Sequence, residues 1–141
     1  MANKQDIKNW RAEEIAKIQL RKSSFNLNIE KFPTPIFDFF ITQQANQKAR
    51  FAVEVKTKHL FERNITQQLE QLVIYRNNEM INIPAIIIKV DEPNETAELD
   101  FLVIPSKSGK LLIRKNFSFK ELTPKTLDGF ITKINEWWKL K

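Results

Sequence analysis

The chain has 141 residues, of which 42% are hydrophobic and 28% charged, and its net charge is +6. This length and composition predict one globular domain with one core, over residues 1–141, rather than a disordered or membrane-embedded chain. The sequence contains no cysteine and a single histidine, His59, which excludes disulfides, thiol nucleophiles, thiolate metal sites and a multi-histidine metal site within one chain.

The first predicted element is an amphipathic helix over residues 6–22, with Asp6 as its N-terminal cap. Apolar residues near the same side of this helix predict a buried stripe, made of Ile15, Ala16, Ile18 and Leu20. Glu13 lies three residues before Ala16, so we expect it at the border of the stripe. From that position its carboxylate can face an active site, or it can be an ordinary solvated charge.

Two strands are predicted next. Phe25, Leu27 and Ile29 alternate with polar residues, which indicates a short half-buried strand. Residues 35–42 then form an apolar strand that carries one acid, Asp38. A lone carboxylate among phenylalanines costs free energy to bury, so we expect it to have a partner. The polar residues 43–48 read as a turn.

The stretch from Arg50 to Lys58 alternates most clearly. Because successive side chains of a strand point to opposite sides, one face is apolar and the other carries Glu54 and Lys56. A carboxylate and an amine in an apolar strand need partners or a chemical role, such as holding a divalent cation and orienting a water beside it. A hairpin between this strand and the preceding one would bring Asp38 close to Glu54.

The remaining elements complete an alternating helix-and-strand pattern. A helix is predicted from Asn64 to about Asn78, and Gln68, Gln71 and Tyr75 form a polar stripe along it that can orient a water or phosphate or lie at the surface. Further strands are predicted at residues 85–91, 98–105 and 111–115. A last helix begins at Thr123, with Pro124 in its first position.

An acid on one strand followed by Glu-Val-Lys on the next resembles the PD-(D/E)xK nuclease superfamily. The matching residues are Asp38 and Glu54-Val55-Lys56, with Glu13 and the pair Gln71 and Tyr75 as further matches, and Phe37 stands where the motif often has proline. The resemblance spans roughly residues 10–105 and extends to small prokaryotic nuclease-like domains. It implies an α/β fold of the restriction-endonuclease-like type, with a three-layer core and a central mixed β-sheet flanked by helices.

The resemblance also implies a mechanism, metal-dependent phosphodiester hydrolysis. Glu13, Asp38, Glu54 and the carbonyl of Val55 would hold Mg²⁺ or Mn²⁺. Lys56 would position or activate the attacking water, and Gln71 and Tyr75 would orient water or phosphate. Lys58 and Gln68 would contact nucleic acid, which we expect to be DNA rather than RNA. Trp10 and Phe61 can stack on a base, although core packing is the stronger expectation for both.

Charge along the chain favours the same partner. Residues 1–31 carry a net charge of +3, residues 32–104 carry −3 and residues 105–141 carry +6, an acidic middle between basic ends that suits a polyanion. We expect a cytoplasmic protein, since the start of the chain is polar and mixed in charge. Two alternatives stay open: a non-catalytic scaffold of the same fold, and a protein-interaction subunit, or homodimer, that docks through Trp137-Trp138.

Overall fold

The computed structural model describes residues 4–31, 38–57, 83–105, 111–115 and 122–139. In these ranges the chain forms two helices and six strands, in the order α1 (Lys4–Leu20), β1 (Leu27–Lys31), β2 (Phe39–Gln43), β3 (Phe51–Thr57), β4 (Ala85–Asp91), β5 (Thr96–Pro105), β6 (Leu111–Lys115) and α2 (Pro124–Lys139). The strands form one sheet and lie side by side in chain order. The pair β3 and β4 is parallel and the other neighbouring pairs are antiparallel. The predicted α/β class with a mixed sheet is therefore confirmed.

Strand β3 has the two faces that its alternation predicts. Phe51, Val53 and Val55 are buried in the main hydrophobic core, which both helices cover. The helices contribute buried apolar side chains, namely Ala12, Ile15, Ala16 and Leu20 from α1 and Leu127, Phe130, Ile131 and Ile134 from α2. Glu54 and Lys56 point to the opposite face, as expected for positions of the other parity. Strand β4, predicted as a central strand, lies between β3 and β5.

Helix α1 differs from its prediction in two respects. It begins at Lys4 rather than at Asp6, so the proposed cap lies inside the helix. The predicted burial of Ile18 and Trp10 is also wrong, because their side chains are 50% and 64% exposed. The physical reason is angular: Ile18 is two residues from both Ala16 and Leu20, which places it about 160° round the helix from each of these fully buried side chains.

The turn after β2 also corrects the sequence interpretation. Gln43 was predicted to open a polar turn, but it ends β2 and is only 2% exposed. Its side-chain amide donates to the carbonyl of Ala49 over 2.6 Å and to Asn135 Oδ1 over 2.8 Å. A buried amide is stable when its donors are satisfied in this way, so polarity alone did not predict its position.

Helix α2 begins at Pro124 as predicted, and hydrogen bonds connect it to the end of helix α1. Thr123 caps it, since Thr123 Oγ1 accepts the N–H of Thr126 over 3.2 Å. Asp128 accepts hydrogen bonds from Ser23 Oγ over 2.7 Å and Ser24 Oγ over 2.6 Å, which fixes the end of α1 against α2. No helix in the described part of the chain is long and apolar enough to cross a membrane.

Candidate active site

A pocket of about 240 Å³ opens beside β3, next to the point where strand β2 begins. Strand β2 pairs with β3 only as far as Phe39 opposite Val53, whereas the next four residues of β3 pair with β4 on the other side. The edge of β3 that faces away from β4 is therefore free of a strand partner within the described residues. The pocket at this edge is lined by Ala12, Glu13, Asp38, Glu54, Val55, Lys56 and Thr57.

Asp38 anchors this edge, although it precedes β2 rather than lying within the strand as predicted. Its backbone N–H donates to the carbonyl of Val53 over 3.1 Å, and its carboxylate Oδ2 accepts the N–H of Val55 over 2.6 Å. The carboxylate thus satisfies a backbone donor that a strand neighbour would otherwise satisfy. Burial raises the pKa of Asp38, and the hydrogen bond from Val55 and the charge of Lys56 partly oppose that rise.

Glu54 and Lys56 form an ion pair on the face of β3 away from the main core. Lys56 Nζ lies 3.3 Å from Glu54 Oε1, and Glu54 is only 5% exposed. Burial raises the pKa of Glu54 to about 9, and repulsion from Asp38 adds to the rise while Lys56 opposes it. One ammonium group therefore does not compensate the negative charge that these carboxylates would carry together.

Glu13 brings a third carboxyl group to the pocket, from helix α1. Burial raises its pKa to about 7, and the charge of Asp38 and a hydrogen bond between the two carboxyl groups add to the rise. Lys17 and Lys31 lie near enough to oppose this effect. The prediction that Glu13 borders the buried stripe is confirmed, whereas Glu14 points away and binds Lys17 over 3.2 Å.

Thr57 is a pocket residue that the sequence interpretation missed. Its side chain is 3% exposed, and its hydroxyl has no hydrogen-bond partner among the described residues. In sequence it is the residue after Lys56, on the apolar face of β3, where threonine is ordinary. Whether the Thr57 hydroxyl has a hydrogen-bond partner depends on the surrounding tertiary structure. The only sequence signal for Thr57 as a pocket residue was its position at the end of the strand that carries Glu54 and Lys56.

The predicted site residues therefore fall into two groups. The structure brings Glu13, Asp38, Glu54, Val55 and Lys56 to one pocket. The other predicted residues lie outside the described ranges, together with the predicted helix at 64–78, and these residues are Lys58, Gln68, Gln71 and Tyr75. Phe61 and His59 also lie outside them.

The pocket has a suitable set of donors for a hard divalent cation. Three carboxyl groups and a strand-edge backbone offer only oxygen ligands, which Mg²⁺ and Mn²⁺ favour. Among the described residues, however, no three acidic or histidine side chains already converge as a formed metal-binding group. The reason is visible in the contacts: Val55 N–H holds the carboxylate of Asp38, and Lys56 holds Glu54. The carboxyl groups share the pocket but are occupied by partners from the chain.

Comparison with protein-family models, curated proteins and solved structures gave no match. Any functional assignment therefore depends on the chemistry of the pocket itself.

Proposed function

We propose that the protein is a metal-dependent nuclease that hydrolyses phosphodiester bonds, with DNA as the favoured substrate. The observation that carries this proposal is the meeting of Glu13, Asp38, Glu54 and Lys56 in one pocket at the open edge of β3. Their order along the chain matches the PD-(D/E)xK pattern, and a mixed sheet with helices is compatible with a restriction-endonuclease-like fold. Prokaryotic defence, repair or mobile-element biology would suit such an activity.

The donor set and the electrostatics support a cation in this pocket. Three partly or fully buried carboxyl groups have raised pKa values because burial disfavours their charged forms, and the charge of Asp38 adds to the rise at Glu13 and Glu54. A divalent cation favours the ionised form of each and would offset that cost. Thr57 also lines the pocket, and its hydroxyl has no hydrogen-bond partner among the described residues. Glu13, Asp38, Glu54 and the Val55 carbonyl are the groups that would hold Mg²⁺ or Mn²⁺.

Each residue then has a role in hydrolysis. A bound divalent cation supplies Lewis acidity and lowers the pKa of a coordinated water. Asp38, fixed by its bonds to β3, keeps its carboxylate at a constant position in the pocket. Lys56 has its ammonium at the pocket and 21% of its side chain exposed, so it can reach a phosphate or water and stabilise charge that develops during attack. Lys17 and Lys31 add positive charge near Glu13, which favours a polyanion.

The test of the proposed function is cleavage of circular single-stranded DNA, linear duplex DNA and RNA with Mg²⁺, Mn²⁺ or EDTA. We expect cleavage that requires metal and falls at least about 100-fold in Glu54→Gln, because the amide weakens the metal site. The circular substrate separates an endonuclease from an exonuclease. Cleavage in EDTA at the same rate, or an undiminished rate in Glu54→Gln, would contradict the proposal.

The scaffold alternative is favoured by one observation, the ion pair of Lys56 with Glu54 at 3.3 Å. If this pair is only a structural bridge, the protein should neither bind Mn²⁺ in calorimetry nor cut any of the three substrates. The partner alternative has less support, because Trp138 is engaged within the chain: its indole N–H donates to the carbonyl of Arg50 over 2.9 Å, and its ring lies 4.9 Å from the Arg50 guanidinium.

Trp10 offers a test of nucleic-acid binding that is separate from catalysis. It is 64% exposed and lies one helical turn before Glu13, with Lys17 one turn after, on the same flank of α1. Stacking of a base on an aromatic ring contributes about 1–3 kcal/mol. We therefore expect Trp10→Ala to weaken binding of a labelled single-stranded oligonucleotide about tenfold in EDTA, measured by fluorescence anisotropy, while Trp10→Phe retains most of the affinity.

The matched control is Ile18→Ala, which removes another large exposed apolar side chain of α1, about 80° round the helix from Trp10. This variant should bind like the wild type. Equal losses in Trp10→Ala and Ile18→Ala would point to a general effect on α1 rather than to stacking at Trp10.

A further inference from the structure

Thr57 ends strand β3 with a buried hydroxyl that has no partner. The side chain is 3% exposed, and its Oγ1 is the one fully buried side-chain oxygen or nitrogen without a hydrogen bond among the described residues. An unsatisfied buried hydroxyl destabilises the folded state relative to a satisfied one. Valine has nearly the same shape and would avoid this cost, so the described fold alone gives no reason for threonine here.

Thr57 also lies at the pocket, although its Oγ1 has almost no water-accessible surface in this fold, so its side chain must rotate to turn the hydroxyl toward an occupant. Thr57 lines the same cavity as Glu13, Asp38, Glu54 and Lys56. It lies on the face of β3 that carries Val55, whereas Glu54 and Lys56 lie on the opposite face, so the pocket wraps round the free edge of the strand. Thr57 thus borders the cavity from the side of α1, away from the ion pair. A polar group held there can complete the hydrogen bonds of a ligand that the carboxylates hold.

The chemistry of a hydrated cation fits this gap. Mg²⁺ keeps several of its waters when it binds protein through a few carboxylates. Each of these waters directs two protons outward, and each proton needs an acceptor. The carboxylates of Asp38 and Glu54 are already engaged by Val55 and Lys56, whereas Thr57 Oγ1 is an acceptor with free capacity. Hydrogen bonds between a metal's ligands and neighbouring protein groups orient those ligands. Loss of such a bond weakens metal affinity about tenfold or more.

We propose that Thr57 is a positioning residue whose Oγ1 accepts a hydrogen bond from a water bound to the divalent cation of this pocket. The inference rests on the proposed function, since it requires that a cation binds there. It adds a role for a residue that contacts neither the cation nor the phosphate directly. It also gives a reason for the unsatisfied hydroxyl: this group stabilises the metal-bound protein, although it destabilises the metal-free protein.

The test is a pair of measurements on Thr57→Val and Thr57→Ser. Without metal, Thr57→Val should unfold at the same or a higher urea concentration than the wild type, because it removes an unsatisfied hydroxyl and keeps the volume. In calorimetry with Mn²⁺ alone, it should bind about tenfold more weakly. Thr57→Ser keeps the hydroxyl and should retain Mn²⁺ affinity to within about threefold. The control Thr42→Val, on β2 and outside the pocket, should leave Mn²⁺ binding unchanged.

The outcomes separate this inference from the proposed function. Mn²⁺ binding of Thr57→Val equal to that of the wild type would overturn the role of Thr57 and leave the metal site standing. A metal-free Thr57→Val protein clearly less stable than the wild type would also overturn it, because the hydroxyl would then have a partner within the chain. Absence of Mn²⁺ binding in the wild type itself would overturn the proposed metal site, and this inference with it.

Discussion

Replacing Lys56 with alanine is expected to lower the rate of metal-dependent cleavage about 100- to 1,000-fold while leaving the fold and Mn²⁺ binding in place. The size of the effect follows from the two roles open to an ammonium group at this position, positioning of the attacking water and stabilisation of charge in the transition state. Both roles act on the reaction rather than on the folded state. The variant should therefore lose turnover without losing structure.

The fold should tolerate this change because Glu54 has an alternative to its ion pair. Without Lys56, a charge at Glu54 would be buried and unpaired, but burial has already raised the pKa of this group to about 9. The side chain can therefore stay protonated at neutral pH instead of carrying an uncompensated charge. Removal of the positive charge also takes a competitor away from the carboxylates, so Mn²⁺ affinity should be equal to or higher than that of the wild type.

Lys89 provides the matched control for Lys56. It lies opposite Lys56 in the register of β3 and β4, and it forms an ion pair of 3.0 Å with Glu98. It does not line the pocket. Lys89→Ala removes the same charge from the same face of the sheet and should keep cleavage within about threefold of the wild type, in keeping with the small contribution of partly exposed ion pairs.

Cleavage assays and calorimetry with Mn²⁺ on the three proteins decide the role of Lys56. A Lys56→Ala protein that cuts at the wild-type rate would remove Lys56 from the mechanism. A protein that loses Mn²⁺ binding and cleavage together would instead indicate that Lys56 organises the carboxylates and takes no part in the reaction itself.

The sequence predicted β3 and its neighbours well because their signal is local. The alternation from Phe51 to Thr57 determines which side chains share a face, and this parity alone separates Glu54 and Lys56 from the apolar core. The pairing of β2 with β3 followed from two strands joined by a short connection. The approach of Asp38 to Glu54 was therefore predictable from the sequence, and so was the position of Glu13 at the border of α1's buried stripe.

The errors arose where a side chain's environment depends on distant residues. Gln43 is polar, but it is buried because Ala49 and Asn135 accept hydrogen bonds from it. Asp38 lies before β2 because its carboxylate takes the backbone N–H of Val55, so it ends the pairing instead of continuing it. The Thr57 hydroxyl likewise lacks a hydrogen-bond partner because of how distant residues are arranged around it. A local sequence pattern cannot predict that a partner is missing.

The second large effect expected is a loss of stability of the metal-free protein as pH rises. The pKa of Glu13 is raised from 4.5 to about 7 and that of Glu54 from 4.5 to about 9. Between these values the folded protein holds protons that the unfolded chain releases, so the free energy of unfolding falls with increasing pH. The stabilisation is complete below about pH 4.5, and the part due to Glu54 is lost progressively until about pH 9.

The expected slope is on the order of 1 kcal/mol per pH unit for the buried Glu54 within its interval, and it is smaller for Glu13, because solvent screens that half-buried group. Over the range from pH 5 to pH 8 the resulting change in the free energy of unfolding is a large fraction of the stability of a small domain. Urea unfolding in EDTA across that range measures it directly. Glu54→Gln keeps an uncharged side chain at every pH and should flatten the decline, so the variant should be more stable than the wild type at pH 8.

A divalent cation should reverse this order. Since the cation favours ionised carboxylates, Mn²⁺ should stabilise the wild type more at pH 8 than at pH 5, and should stabilise Glu54→Gln little at either pH. Glu14→Gln is the control, because Glu14 pairs with Lys17 outside the pocket and should leave both the pH profile and the Mn²⁺ effect unchanged. A decline in Glu54→Gln as steep as in the wild type would show that Glu54 is not the group that titrates. A wild type that Mn²⁺ fails to stabilise at pH 8 would show that these carboxyl groups are buried for a reason other than metal binding.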